Sequence, residues 1–310
     1  MNARTCLAVD SACDLPTSFL NDNGIKIVPI NLNIGSKIYR DIRDPKTTMQ
    51  MYSSQRLEKS FDAESEPASV SELAEFVEKE LMPDYDEVLA LTISAKRSGV
   101  YKNLRQSAFV DCQRIKAMRK KQGVTTPFKI KVVDSASIFT GQGVLTFEAV
   151  RMFKKSKSVK EIVERINAVK SKVHAYLVPD SLFFLKNRAR AKGDNSVSWL
   201  SYQLGNVMDI KPIVLGHDGI TEPVDKVRGH ENGIKYLIDR ADEAIAKGLE
   251  IPVIVMSYAG DPRRIQKMDA YQEFTERCRR QGVTPLLSVM STTGAINVGP
   301  GAFSLAYAGK

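Results

Sequence analysis

Residues 87–101 read EVLALTISAKRSGVY, and the fold can be drawn outward from them. Glu87 to Ile93 is an apolar run of the buried-strand type that stops at Ser94. Ser98-Gly99 then opens a segment with apolar positions at helical spacing, which predicts one long helix over residues 98–119. The same unit recurs on both sides. Thr5 to Val9 is a short apolar run ending in Asp10-Ser11, and Phe128 to Val133 ends in Asp134-Ser135 before a helix expected over 140–153, opened by Gly141 and Gly143. Between them, Ile25 to Leu32 reads as a strand, residues 47–59 as a polar helix, and 70–81 as a helix following Pro67. Strands that alternate with helices imply a parallel sheet, whose ligands bind beyond the carboxyl ends of the strands. Ser11, Ser94 and Ser135 stand at three such ends.

The second half has a different rhythm. Strands are expected at 174–178, 252–257 and 286–289, with helices at 197–205, 234–247 and 263–280. Residues 210–215 and 221–227 flank His217-Asp218-Gly219 as a hairpin. A chain of 310 residues exceeds one ordinary core. The expected fold class is therefore α/β with two α/β domains, 1–157 with a mainly parallel sheet and 158–310 with a mixed sheet and helices. The polar, basic stretch at 156–160 is the expected seam.

Composition narrows the function classes. With 43% apolar and 26% charged residues, the chain should bury a sizeable core rather than remain disordered. No stretch approaches eighteen apolar residues, and the first residues offer no signal-type apolar region, so neither a membrane span nor export is expected. Cys6, Cys13, Cys112 and Cys278 show no CxxC spacing, which argues for a reducing cytoplasm and against a zinc site or disulfide framework. The net charge of +9 favours anionic partners, yet its lysines and arginines are interspersed with acids. Without a recognised module or aromatic platform, nucleic acid is not the expected partner.

Three segments carry candidate chemistry. Asp10, Ser11 and Asp14 in DSACD lie where a strand meets a helix, placed either to bind a ligand or cation or to cap that helix. Ser94 and Ser98 bring hydroxyls together with the unpaired amides of a helix start, an anion site in outline, although Ser98 alone would serve as a cap. Gly141 and Gly143 form a GxG without the lysine of a phosphate loop, and fit close backbone or ligand approach. None of His174, His217 and His230 adjoins a serine or cysteine in sequence that it could activate. These residues alone leave a phosphotransferase or hydrolase-like enzyme using Asp10 and Ser94 as one reading, and a binding protein as the other.

Taken together, DSACDLP at 10–16, SAKRSGVY at 94–101 and VVDSASIFTGQG at 132–143 resemble the DegV family of bacterial fatty-acid-binding proteins. VPDSLFFLKNRARA, IKPIVLGHDGITEPVDKVR and TGAINVGPGAFSLAYAG follow in the family's order, so the resemblance spans nearly the whole chain. It implies two α/β domains holding one long-chain fatty acid, no chemistry of the protein's own, and presentation of the carboxylate to a fatty acid kinase. Neither cofactor nor metal is implied, and membrane contact is at most transient. The N-terminal domain would carry the carboxylate site and the C-terminal domain would cover the acyl chain.

By the same resemblance Ser94 should hydrogen-bond the carboxylate, with Ser65, Glu64, Ser98, Asn297, Asp10, Ser11 and Arg190 about the ligand and Arg228 on the partner face. The chain departs from the family at four places. Glu64-Ser65 stands where the family has Thr-Ser, Asn297 replaces the histidine before the terminal GPG, Lys96 and Arg97 occupy the turn after Ser94, and Arg188 and Ala189 stand beside the family arginine at 190 where the family has glycines. An ionised Glu64 facing a carboxylate would repel it, so either Ser65 supplies the hydroxyl with Glu64 turned away, or the head is not a simple carboxylate. Burying about fourteen methylenes at about 0.8 kcal/mol each gives roughly 11 kcal/mol gross, so the chain would hold the ligand and the head group would orient it.

Overall fold

Thirteen strands and twelve α-helices are found in a computed structural model that describes residues 4–54, 57, 63–108, 112–121, 123–191 and 209–310, without the side chains of 112–114 and 188–191. The first sheet is β1 (Thr5–Asp10), β2 (Lys26–Val28), β6 (Glu87–Thr92) and β7 (Lys129–Asp134), in the order β2-β1-β6-β7, and every pairing is parallel. Its inner strands β1 and β6 are legible in sequence because both faces are covered, which requires near-continuous apolar runs, whereas the edge strand β7 carries exposed Lys129 and Lys131 among its apolar residues. Helix α1 (Thr17–Asp22) follows β1.

Between β2 and β6 the chain builds a smaller antiparallel sheet, β4-β3-β5, from β3 (Ile30–Ile34), β4 (Lys37–Asp41) and β5 (Ala63–Pro67). The single strand expected at 25–32 is therefore two, in different sheets. Helix α2 (Pro45–Ser53) is shorter than expected; Asp44 accepts the Thr47 amide at 2.7 Å and Pro45 opens the first turn, a start matching the known preferences of caps and proline. Helix α3 (Val70–Phe76) opens on a capping box of Ser69 and Glu72 and continues as a π-turn to Leu81.

The long helix expected at 98–119 is two, α4 (Val100–Ser107) and α5 (Cys112–Lys121). Near the break the Ser107 hydroxyl donates to the Leu104 carbonyl at 2.8 Å, a local bond that competes with helix propagation. Helix α6 (Gly141–Phe153) starts one residue later than expected, and α7 (Val159–Val169) follows a capping box of Ser158 and Glu161.

The second sheet has six strands in the order β10-β9-β8-β13-β11-β12 and mixed pairing. They are β8 (Val173–Val178), β9 (Ile210–His217), β10 (Ile220–Arg228), β11 (Val253–Tyr258), β12 (Thr284–Val289) and β13 (Phe303–Ala308). Helix α8 (Leu182–Ala191) follows β8, and α9 (His230–Lys247), α10 (Arg263–Gln266), α11 (Asp269–Arg280) and α12 (Thr292–Val298) lie between later strands. The helix expected at 197–205 falls outside the described residues. The single helix expected at 263–280 is split at residues 267–268, and β13, not β12, is the last strand. β13 lies in mid-sheet, antiparallel to both β8 and β11.

Helix α6 lies between the two sheets and is buried on nearly all sides, Val144, Leu145 and Ala149 joining Leu7, Val9 and Leu91 of one sheet to Val173, Val255 and Ala306 of the other in one core. A side chain at Gly143 would meet Val255 at 3.0 Å and Leu15 at 3.3 Å, so this glycine sets how closely α6 approaches. The α/β class and the parallel-then-mixed sheets are as the sequence led one to expect. Among the described residues, no helix is long and apolar enough to cross a membrane.

Candidate functional site

A cavity of about 370 Å³ lies at the carboxyl ends of β1, β6 and β7, where a parallel sheet places its ligands. Its apolar walls include Ile30, Ile93, Ile138, Phe139, Leu185 and Met290, contributed by both halves of the chain. The loop from β7 to α6 supplies Ile138 and Phe139, and it holds Ala136 and Phe139 at φ of 53°, left-handed backbone that non-glycine residues adopt only under constraint. The constraint is visible in bonds: the Ser94 amide donates to the Ser137 carbonyl at 2.9 Å, and Thr140 and Ser304 share their hydroxyls at 2.8 Å.

Polar groups gather on one stretch of this wall. Ser65 lies on β5, an edge strand of the small sheet, and its hydroxyl accepts from Asn297 Nδ2 at 3.0 Å, which leaves the hydroxyl hydrogen to be donated elsewhere. Two residues on, Pro67 packs against Gly99, where a Cβ would lie 3.2 Å from its ring. This brings Ser98 beside the strand that bears Ser65, and the Ser98 hydroxyl accepts a long 3.4 Å bond from the Val100 amide. Arg97 follows, its Nε donating to the Gly219 carbonyl and its Nη2 to Thr221 Oγ1, both at 2.9 Å. Ser65, Ser98, Asn297, Arg97 and Thr221 all line the cavity.

Asp218 and Gly219, at φ of 50° and 75°, form the left-handed turn a two-residue hairpin needs between β9 and β10. That turn clasps the loop after β6, because Lys96 Nζ also donates to the Asp218 carbonyl at 2.8 Å. Ser94 is enclosed by the clasp. Its carbonyl accepts the amides of Arg97 and Ser98 at 2.9 and 3.1 Å, and its hydroxyl accepts the Lys96 amide at 3.3 Å. A side chain at Gly219 would collide with Ser94 Oγ, so this hydroxyl faces the hairpin. Glu64 pairs with Asn33 on β3, and strand alternation turns its side chain to the face opposite Ser65.

Asp10 and Ser11 are fully buried behind the cavity. The two carboxylate oxygens of Asp10 accept the amides of Ala12 at 3.1 Å and Ile93 at 2.6 Å, tying β1 to β6, while the Ser11 amide bonds to the Val28 carbonyl at 3.1 Å. Neither Ser11 nor Asp14 caps α1, which begins after Pro16 without a side-chain cap. Arg190 falls within α8, with its side chain outside the described residues, and Arg228 is exposed at the end of β10.

Burial pushes the Asp10 carboxyl up to about 7, against the lowering by its two backbone donors. The native chain therefore keeps this proton between about pH 4 and 7, where the unfolded chain has lost it, and stability falls as pH rises through that window. Asp10→Asn should flatten this slope relative to the wild type, by up to about 1.4 kcal/mol per pH unit, in urea unfolding midpoints compared from pH 4 to 7.

A buried ion network lies below the cavity. Arg43 Nη1 donates to Asp14 Oδ1 at 3.2 Å and Nη2 donates to the carbonyls of Leu15 and Val289. Asp14 also accepts from the Ser257 hydroxyl and the Ser291 amide, each at 2.8 Å. Asp41 accepts the Arg43 amide at 3.0 Å and the amide and hydroxyl of Thr293 at 2.9 and 2.8 Å. Arg43 thus fastens the loop after β1 and the small sheet to the loop before α12, all of which border the cavity. Arg43 and Thr221 carried no sequence signal, and Arg97 was visible only as a departure from a pattern.

The chain is 35% identical over 307 residues to a DegV domain-containing protein of Xanthomonas campestris, covering 99% of this chain and 98% of that one. A DegV lipid-binding protein from Thermotoga maritima superposes with a TM-score of 0.76 at 21% identity, over 98% of this chain and 97% of that one. A DegV family protein from Thermus thermophilus, described for its fatty acid binding, superposes with a TM-score of 0.71 at 22% identity, over 98% and 99%. The family model described as an uncharacterised protein of the DegV family matches residues 5–310, and with the curated relative it shows that this chain belongs to the DegV family.

Proposed function

We propose that this protein binds one long-chain fatty acid in the 370 Å³ cavity, with the carboxylate at the Ser65, Ser98 and Arg97 stretch of the wall and the acyl chain against Ile138, Phe139, Leu185 and Met290. The observation that carries the reading is that Ser65, Ser98 and Arg97 bring hydroxyl donors and a cation together on one stretch of the wall, beside a lining that is mainly apolar and in which Asp14, Glu66 and Thr293 also stand. An anionic head is favoured there because charge-assisted bonds to a carboxylate are about twice as strong as neutral ones. The fatty acid binding described for the Thermus protein supports it.

In this reading Ser94 acts mainly by shaping the turn that presents Ser98, and Asn297 acts by orienting the Ser65 hydroxyl. Residues 1–157 carry Ser65, Ser98 and Arg97 of the head site, supported by Asn297 and Thr221, and Leu185 and Met290 of residues 158–310 cover the acyl chain together with Ile138 and Phe139. The chain makes and breaks no bond itself; it presents the carboxylate to a kinase, with exposed Arg228 on the surface that meets that partner. Mass spectrometry of freshly purified, denatured protein tests the proposal. A long-chain acyl mass near one per chain is expected, and material without any acyl chain would overturn it.

A further inference from the structure

We infer that the groove between α4, α5 and the outer edge of β7 docks an extended acidic segment of a partner protein, which joins the first sheet as a strand beside β7. The groove measures about 890 Å³ and lies on the α4 side of that sheet, away from the fatty-acid cavity. β7 is the last strand in the order β2-β1-β6-β7, so its outer main-chain groups have no strand partner among the described residues. Four consecutive positions of β7, residues 129–132, line the groove, which opens the strand edge itself and not only one face. An unpaired edge is a template for a further strand.

Charge selects the occupant. Exposed Arg105, Lys116 and Lys120 border the groove with Lys129 and Lys131 of the strand, and no acidic residue lines it among the described residues. Arg119, also at the wall, is already held by Asp86 and by the carbonyls of Met82 and Tyr85, so it fixes α5 in place and leaves the lysines to meet a partner. The floor around Phe128 is apolar, which fits a segment that alternates acidic and apolar residues. A flat lipid surface would not reach a concave strand edge. Stacked bases are disfavoured because Arg119 lies 6.0 Å from the Phe128 ring centre and Arg105 lies 5.8 Å from that of Tyr101.

The full chain can be titrated with a labelled decapeptide alternating Glu with Val and Thr, and with its Lys counterpart, phosphatidylglycerol vesicles and a single-stranded oligonucleotide in parallel. The acidic peptide should bind, weaken as salt rises, and protect amides within residues 129–134 from hydrogen exchange. The double variant Lys116→Glu, Lys120→Glu should lower that affinity at least tenfold while leaving fatty-acid binding unchanged. Equal binding of the Lys peptide, binding without protection of 129–134, or binding of the vesicles or oligonucleotide in place of the acidic peptide would overturn the inference. The exchange and salt measurements use the wild type, so they decide even if the double variant folds poorly.

Discussion

Arg97→Ala should weaken long-chain fatty-acid binding about tenfold to a hundredfold at neutral pH, the effect of losing one charged hydrogen-bonding partner worth about 1.5–3 kcal/mol. The guanidinium is held at the cavity wall by the Gly219 carbonyl and Thr221 hydroxyl, so it meets an entering carboxylate already oriented. The same two bonds fasten the hairpin, and a structural role alone could also lower affinity. A fatty alcohol of equal length separates the two, because it offers no carboxylate. The variant should lose affinity for the acid while binding the alcohol much as the wild type does; equal losses for both would make Arg97 a positioning residue only. In the same titration Glu64→Thr should change acid affinity less than about twofold, since Glu64 faces away from Ser65 on β5.

Arg43→Met should cost about 3–5 kcal/mol of stability, because it leaves Asp14 buried without its counter-charge. Burial already raises the Asp14 carboxyl above its ordinary value with Arg43 present, and removing the guanidinium raises it further. A raised carboxyl stabilises the native state at low pH and costs stability as pH rises, so the deficit of the variant should be larger at pH 8 than at pH 5. Adding Asp14→Asn should recover part of the loss at pH 8. Urea unfolding at the two pH values measures this, and a deficit that ignores pH would show that packing around Arg43 matters more than its charge.

The contrast between these two arginines shows what a sequence can carry. β1 and β6 are readable because each is a near-continuous apolar run, the pattern of a strand buried on both faces, and β7 because Ile130, Val132 and Val133 stand among exposed lysines just before Asp134-Ser135. β4 and β5 are not, since KIYRD and AESEP are polar and become strands through pairing with β3, a tertiary context that strand propensity does not contain. The run FSLAYA at β13 is apolar throughout, yet its place between β8 and β11 depends on a return of the chain that no local pattern states. Ser65, Ser98 and Asn297 were named from sequence and line one cavity, whereas Ser94, named first, faces the hairpin. Its strand-end position was legible, but the Asp218-Gly219 turn that covers it lies more than 120 residues away. Arg43 bonds to residues 14, 15 and 289, and separations of that kind leave no periodicity to read.

A crystal structure of the freshly purified protein would show whether the polar stretch of the cavity wall receives a carboxylate. Continuous acyl density is expected between Phe139 and Leu185, with a carboxylate within hydrogen-bond distance of Ser65 Oγ, Ser98 Oγ and the Arg97 guanidinium. Density for an acyl chain whose head lies elsewhere, or an ordered cavity holding only water in protein shown by mass spectrometry to carry lipid, would contradict that placement.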